Sequence, residues 1–154
     1  MLRTYKIDLP SISLVDYMTA IRRFYPRFSE DILKRCLDGF GMSMDVNLGA
    51  LSMGQKKKVY MCVALAANTR MLLMDEPTNG LDIPSKSQFR KVVANGMTDE
   101  KTIIISTHQV RDVELLLDRV SVIDQNRVLL NASMAELSEK LRFIDVDRNS
   151  LSAD

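Results

Sequence analysis

The chain contains no tryptophan, one histidine, two cysteines, four prolines and six glycines in 154 residues. Each shortage excludes something. Cys36 and Cys62 are too few for the disulfide frameworks that staple small secreted domains. Little Pro and Gly, with no internal repeat, leave no room for low-complexity linkers, so most of the chain is expected to be regular structure. The longest apolar run, near Val59 to Ala67, falls far short of the roughly 20 residues that cross a bilayer. Arg3, Lys6 and Asp8 interrupt the N-terminus before a signal-peptide apolar core could form. Neither sign of charge dominates: 21 Lys and Arg against 20 Asp and Glu give a net charge of +1, no footprint for nucleic acid or an anionic membrane surface. With 46% hydrophobic and 27% charged residues, these absences point to one soluble cytoplasmic domain.

Local signals divide the chain. Residues 1–12 read as loop or a truncated edge, with Pro10 barring a helix. Ser13 with Asp16 predicts a capped helix to about Phe24. Ser29, followed by Glu30 and Asp31, caps a second, whose apolar face is Ile32, Leu33, Cys36, Leu37 and Phe40. Residues 42–54 lack a period and read as loop, and from Gln55 the apolar residues Val59, Cys62, Val63 and Ala66 share one helical face. Met71–Met74 and Thr102–Ser106 are short unbroken apolar runs, expected as strands buried on both faces. Pro84 starts the helix between them, and Val110–Leu117 reads as another helix. Arg119–Asp124 and Arg127–Asn131 flank Gln125-Asn126 as a hairpin, expected to add antiparallel strands at one sheet edge. Ser133 and Glu136 box a last helix to about Leu141, and 143–154 reads as a polar tail. Strands alternating with helices make the fold α/β with a parallel sheet.

Three stretches carry candidate chemistry, and each alone has a plain structural reading. Met71-Leu72-Leu73-Met74 ends in Asp75-Glu76-Pro77. A parallel strand delivers its C-terminal residues to the ligand edge, where Asp75 suits Mg²⁺ and Glu76 suits a water; an acidic solvated turn would look the same. Leu51-Ser52-Met53-Gly54-Gln55 opens a helix whose free N–H groups and close-approach glycine suit an anion, or simply cap the helix. Ser106-Thr107-His108 follows the second strand, and a lone histidine is usually a satisfied or solvated residue.

Their order and spacing change the reading. Leu-Ser-x-Gly-Gln, then apolar-Asp-Glu-Pro-Thr-x-Gly-Leu-Asp, then Ser-Thr-His resembles the ATP-binding-cassette (ABC) transporter ATPase family, from about Ser13 to Ser133. The resemblance implies a partial P-loop NTPase fold, with a helical subdomain over 13–67 that carries the signature motif. The C-terminal part of the ATPase core then spans 68–142. It implies that Ser52, Gly54 and Gln55 are the signature that caps the γ-phosphate of ATP on the opposite subunit. It further implies that Asp75 is the Walker B acid holding Mg²⁺ through water and that Glu76 is the general base. His108 is then the switch histidine on the γ-phosphate, and Asp82 the D-loop residue reaching across the dimer. The implied cofactors are ATP and Mg²⁺. The implied partners are a transmembrane subunit, docked on the region between Ser13 and Phe40, and a second nucleotide-binding domain in a head-to-tail dimer. No nucleic acid is expected, and the location would be the inner face of the membrane.

The chain departs from the family in one decisive respect. None of Gly39, Gly41, Gly49, Gly54, Gly80 and Gly96 is followed by lysine, so the phosphate-cradling Gly-x-x-x-x-Gly-Lys-[Ser/Thr] is not in this sequence. The first glutamine is Gln55, so the resemblance implies a chain that begins after the family's Q-loop and is inactive alone. Met53 replaces the usual second signature residue. Lys56, Lys57 and Lys58 could answer phosphate charge, but at least two of them are expected on a solvated face. Two other functions stay open: a non-hydrolytic module that offers its signature in trans to a complete ATPase, and a soluble non-transport member. Against the latter stand the lack of a second cassette, of coiled-coil heptads and of a basic stripe.

Overall fold

The computed structural model describes residues 11–141. The expected loop through Pro10 and the tail over 143–154 lie outside the described residues. The order is α1 (Leu14–Ile21), α2 (Glu30–Gly39), α3 (Met53–Ala66), β1 (Met71–Asp75), α4 (Ile83–Gly96), β2 (Thr102–Ser106), β3 (Arg119–Asp124), β4 (Arg127–Ser133) and α5 (Met134–Lys140). The chain forms two compact units that divide after Leu115, although its length suggested one.

Every helix start is capped by the residue that its sequence offers. Ser13 accepts from the Asp16 amide at 3.1 Å, and Ser29 from Ile32 at 3.3 Å. Ser133 and Glu136 form a reciprocal capping box. The first helix stops at Ile21 rather than near Phe24, and tight turns follow, with Phe24 N donating to Ile21 O and Tyr25 N to Arg22 O.

The core of the first unit is α2 against α3 and α4. Ile32, Leu33, Cys36, Leu37, Val59, Cys62, Leu65, Phe89, Val92 and Val93 are buried. Two glycines permit the approach: a Cβ at Gly39 would lie 2.8 Å from Val92 Cγ2, and one at Gly96 2.9 Å from Leu65 Cδ2. The buried Lys101 donates to Leu65 O at 2.8 Å and Gly96 O at 2.6 Å, joining the last turns of α3 and α4. An ammonium at helix C-termini satisfies carbonyls that the helices themselves cannot. Burial pushes the Lys101 pKa down.

β1 and β2 pair in parallel through α4, with Met71 opposite Thr102 and Asp75 opposite Ser106. The expectation that both strands are buried on both faces is corrected. Met74 is buried, but Met71, Leu73 and Ile104 are 59%, 44% and 47% exposed. Strand side chains alternate, so Met71, Leu73 and Ile104 share one face. Among the described residues that face is uncovered, and Leu73, Met74, Asp75, Ile104 and Ser106 line a shallow depression of about 150 Å³ there.

The hairpin also differs from expectation. β3 and β4 form their own two-stranded antiparallel sheet rather than an edge of β1–β2. Gln125 and Asn126 take φ of 43° and 60°, the backbone of a two-residue hairpin turn. The register shifts after Val122, where Leu129 is the extra residue of a bulge. Val110–Leu117 is not a helix but two 3-10 turns, Val110–Asp112 and Glu114–Leu116.

Candidate active site

The parallel register carries the acids and the histidine to one place. Asp75 ends β1 opposite Ser106, whose Oγ donates to Asp75 Oδ1 at 2.5 Å. Glu76 follows, and its amide donates to Ser106 O at 2.9 Å, one step past the ladder. Its φ is +46°, a left-handed conformation that a side chain disfavours by about 1–2 kcal/mol. Surrounding bonds hold it: Glu76 O accepts from Asn79 N at 3.2 Å and from Lys57 Nζ, on α3, at 3.2 Å. Lys57 Nζ also donates to Asn79 O. Backbone held off its preferred region in this way marks a site whose geometry is over-determined.

Both oxygens of the Glu76 carboxylate are hydrogen-bonded. Thr107 Oγ1 donates to Oε2 at 3.0 Å, and Oε1 lies 3.0 Å from His108 N and 2.6 Å from His108 Nδ1. Partial burial works to raise the Glu76 pKa. The hydrogen bonds from the His108 ring, the Thr107 hydroxyl and the His108 amide outweigh it and hold the carboxyl below its ordinary value. The His108 side chain is 69% exposed and that of Glu76 24%, so the pair opens to solvent on the histidine side.

After Glu76 the chain turns at Gly80, whose φ of +75° favours glycine. Asp82 then caps α4, accepting from Ser85 N at 2.8 Å. Hydrogen bonds from Ser85 hold its carboxyl below the usual range.

Ser52, Gly54 and Gln55 open α3. Gln55 N donates to Ser52 Oγ at 3.3 Å and Ser52 N to Gln55 Oε1 at 2.9 Å, a capping box within the proposed signature. A Cβ at Gly54 would meet nothing within 4 Å. Asp75, Glu76 and His108 are thus brought together, with Asp82 at the end of the same turn. Among the described residues, Ser52 and Gln55 bond to each other and not to that group.

One further residue supports the site and was not singled out as such from sequence. Lys57 bridges α3 to the turn, and burial lowers its pKa although the Glu76 charge opposes this. Lys58 Nζ lies 5.6 Å above the Phe40 ring. Lys57 is thus the one lysine of the run that the described contacts tie into the site. The functional signal available was the position of the run, directly after the signature.

Among the described residues no three His, Cys, Asp or Glu side chains cluster as metal ligands. A lone carboxylate such as Asp75 would fit a Mg²⁺ whose other ligands are water and phosphate, not an ion held in a protein cage.

A sequence model described as ABC transporter matches residues 18–79. The chain is 35% identical over 120 residues to the ABC transporter ATP-binding protein NatA of Bacillus subtilis, covering 77% of this chain and 47% of the relative. The chain belongs to the ABC transporter ATPase family. Another ABC relative, the methionine import ATP-binding protein MetN of Carboxydothermus hydrogenoformans, is 43% identical over 82 residues, 51% of this chain and 24% of the relative. Among solved ABC structures, cbiO1 from Clostridium perfringens superposes with a TM-score of 0.56 at 29% identity, over 88% of this chain and 49% of that one. An ATP binding subunit of an ABC transporter superposes at 0.68, over 86% of this chain and 58% of that one, its 20% identity showing the fold alone. The chain spans 47% of NatA and 41% of YtrB, about half or less of those ABC relatives. No helix among the described residues is long and apolar enough to cross a membrane.

Proposed function

We propose that this chain supplies the hydrolytic edge and the signature of an ATPase subunit that drives an ABC transporter. The observation that carries the reading is the Glu76 carboxylate at the C-terminal end of β1, oriented by Thr107 and by the backbone and ring of His108. In this role Glu76 accepts a proton from the attacking water, His108 contacts the γ-phosphate and Asp82 reaches toward a partner subunit. Mg²⁺, held by Asp75 through water, would neutralise the charge that develops on the transferred phosphoryl. Ser52, Gly54 and Gln55 serve the nucleotide of the opposite subunit in a head-to-tail dimer, which agrees with side chains that do not turn toward Glu76. Phosphate-loop donors come from outside this stretch of sequence. The helical region from Ser13 to Phe40 receives the transmembrane partner, which places the chain at the inner face of the membrane.

The test is Glu76→Gln in the complete ATPase. Glutamine keeps the shape but cannot take the proton, so turnover is expected to fall by at least about 100-fold while nucleotide still binds. Near-normal hydrolysis overturns the assignment.

A further inference from the structure

His108 presents two ring nitrogens, and each faces a group whose hydrogen-bonding sense is decided elsewhere. Nδ1 lies 2.6 Å from Glu76 Oε1. An ionised carboxylate only accepts, so Nδ1 carries the proton. On the far side, His108 Nε2 lies 3.4 Å from Gln109 Nε2. The orientation of that amide is not free. Lys86 Nζ, reaching across from α4, lies 2.5 Å from the other terminal atom of Gln109. An ammonium only donates, so that atom is the carbonyl oxygen, and the group turned to His108 is the NH₂. Lys86 is anchored in turn by Asp112 Oδ2 at 2.9 Å, with side chains only 26% and 18% exposed. The Lys86 bond holds the Asp112 carboxyl below its usual range. The backbone closes the circuit, since Gln109 N donates at 3.0 Å to Thr107 Oγ1, whose hydroxyl donates to Glu76.

We propose that Lys86 and Gln109 are positioning residues for His108: through the oriented amide they hold its imidazole as the Nδ1–H tautomer, with its donor on Glu76 and its Nε2 accepting from the Gln109 NH₂. The tautomer follows from the donor and acceptor inventory alone. Its consequence rests on the reading of His108 as the γ-phosphate contact. A ring held in this way has no proton on Nε2 to give a phosphate. Nε2 becomes a donor only by taking a proton from solvent, which turns the Gln109 NH₂ from partner to rival donor, so release of the Lys86–Gln109 clamp becomes part of engaging nucleotide.

The chain has a single histidine, so one set of ring signals reports the state directly. In nitrogen-15 spectra of the labelled full chain, with the ring neutral, Nδ1 is expected to be the protonated nitrogen. Gln109→Leu removes the NH₂ and Lys86→Met frees the amide to turn. Each is expected to lower the ratio of Nδ1–H to Nε2–H by about two- to five-fold, the worth of one weak neutral hydrogen bond. Lys86→Arg keeps a cationic donor and is expected to retain the parent ratio. A parent ring protonated mainly at Nε2 overturns the proposal, as does an unchanged ratio in either Gln109→Leu or Lys86→Met. The readout is the ring and not turnover, so the clamp and the role of Glu76 as base fail or stand separately.

Discussion

Lys57 Nζ lies 3.2 Å from the main-chain carbonyl of Glu76, so the helix that opens with Ser52 is tied directly to the backbone of the proposed base. The same ammonium also donates to Asn79 O, and two carbonyls of one tight turn therefore share a donor from a different element. Replacing Lys57 with Met leaves Glu76 O its Asn79 amide but strips Asn79 O of the Lys57 donor. The expected loss is about 1–2 kcal/mol, since the group is only half-buried. Urea unfolding would measure it, and faster hydrogen exchange at the Asn79 amide would locate it.

Gly54 and Gly80 should respond oppositely to alanine. Gly54 is helical and a Cβ there meets nothing within 4 Å. Gly54→Ala should stabilise α3 by about 0.5–1 kcal/mol while lowering ATPase activity in the complete enzyme, as expected of a residue in the proposed signature. At Gly80 there is equal space, but φ is +75°. Gly80→Ala should therefore cost about 1 kcal/mol by strain alone. Thermal melts of the two variants separate the effects.

Acid should weaken the parent more than Glu76→Gln. The folded-state pKa of Glu76 is depressed, so its contribution is fully present above the ordinary value of 4.5 and is lost as pH falls through the lower folded value. Glutamine has no such term. The difference in urea midpoint between parent and variant is expected to shrink between pH 6 and pH 3. A constant difference would mean that the carboxylate gains nothing from His108 and Thr107.

The two faces of β1 should differ sharply. Met74→Ala, at a buried position, is expected to cost about 2–5 kcal/mol, whereas Leu73→Thr and Ile104→Thr on the open face should each change stability by less than about 0.5 kcal/mol. Chemical denaturation of the three variants checks this. A large loss at Leu73 would show that something covers that face in solution.

What was legible from sequence is largely what side chains declare locally. Ser13, Ser29, Ser52 and Ser133 cap helices through neighbours three residues away, a relation contained within one turn. The meeting of Asp75 and Glu76 with His108 was legible because two apolar runs of similar length, paired in parallel, bring their ends together. Burial of both strand faces was not, because it depends on which elements cover the sheet. Val110–Leu117 has helical apolar spacing, but Gln109 gives it no side-chain cap, and its bonds close over three residues, from Asp112 N to Gln109 O and Val113 N to Val110 O. Lys57 and Lys101 were opaque for a different reason. Their acceptors are main-chain carbonyls, which every residue owns and no sequence letter distinguishes.

Lys101 has a mechanical meaning as well. It grips the last turns of α3 and α4 together, while Ser52 and Asp82 stand at the opposite tips of those helices. Each rod has 14 residues, about 21 Å of helix. Lys101 pins one end of the pair, and Lys57, near the other end of α3, is bonded to the turn that leads into Asp82. The two rods therefore form a frame braced at both ends, which resists a change in spacing between the tip that carries the proposed signature and the tip that carries Asp82.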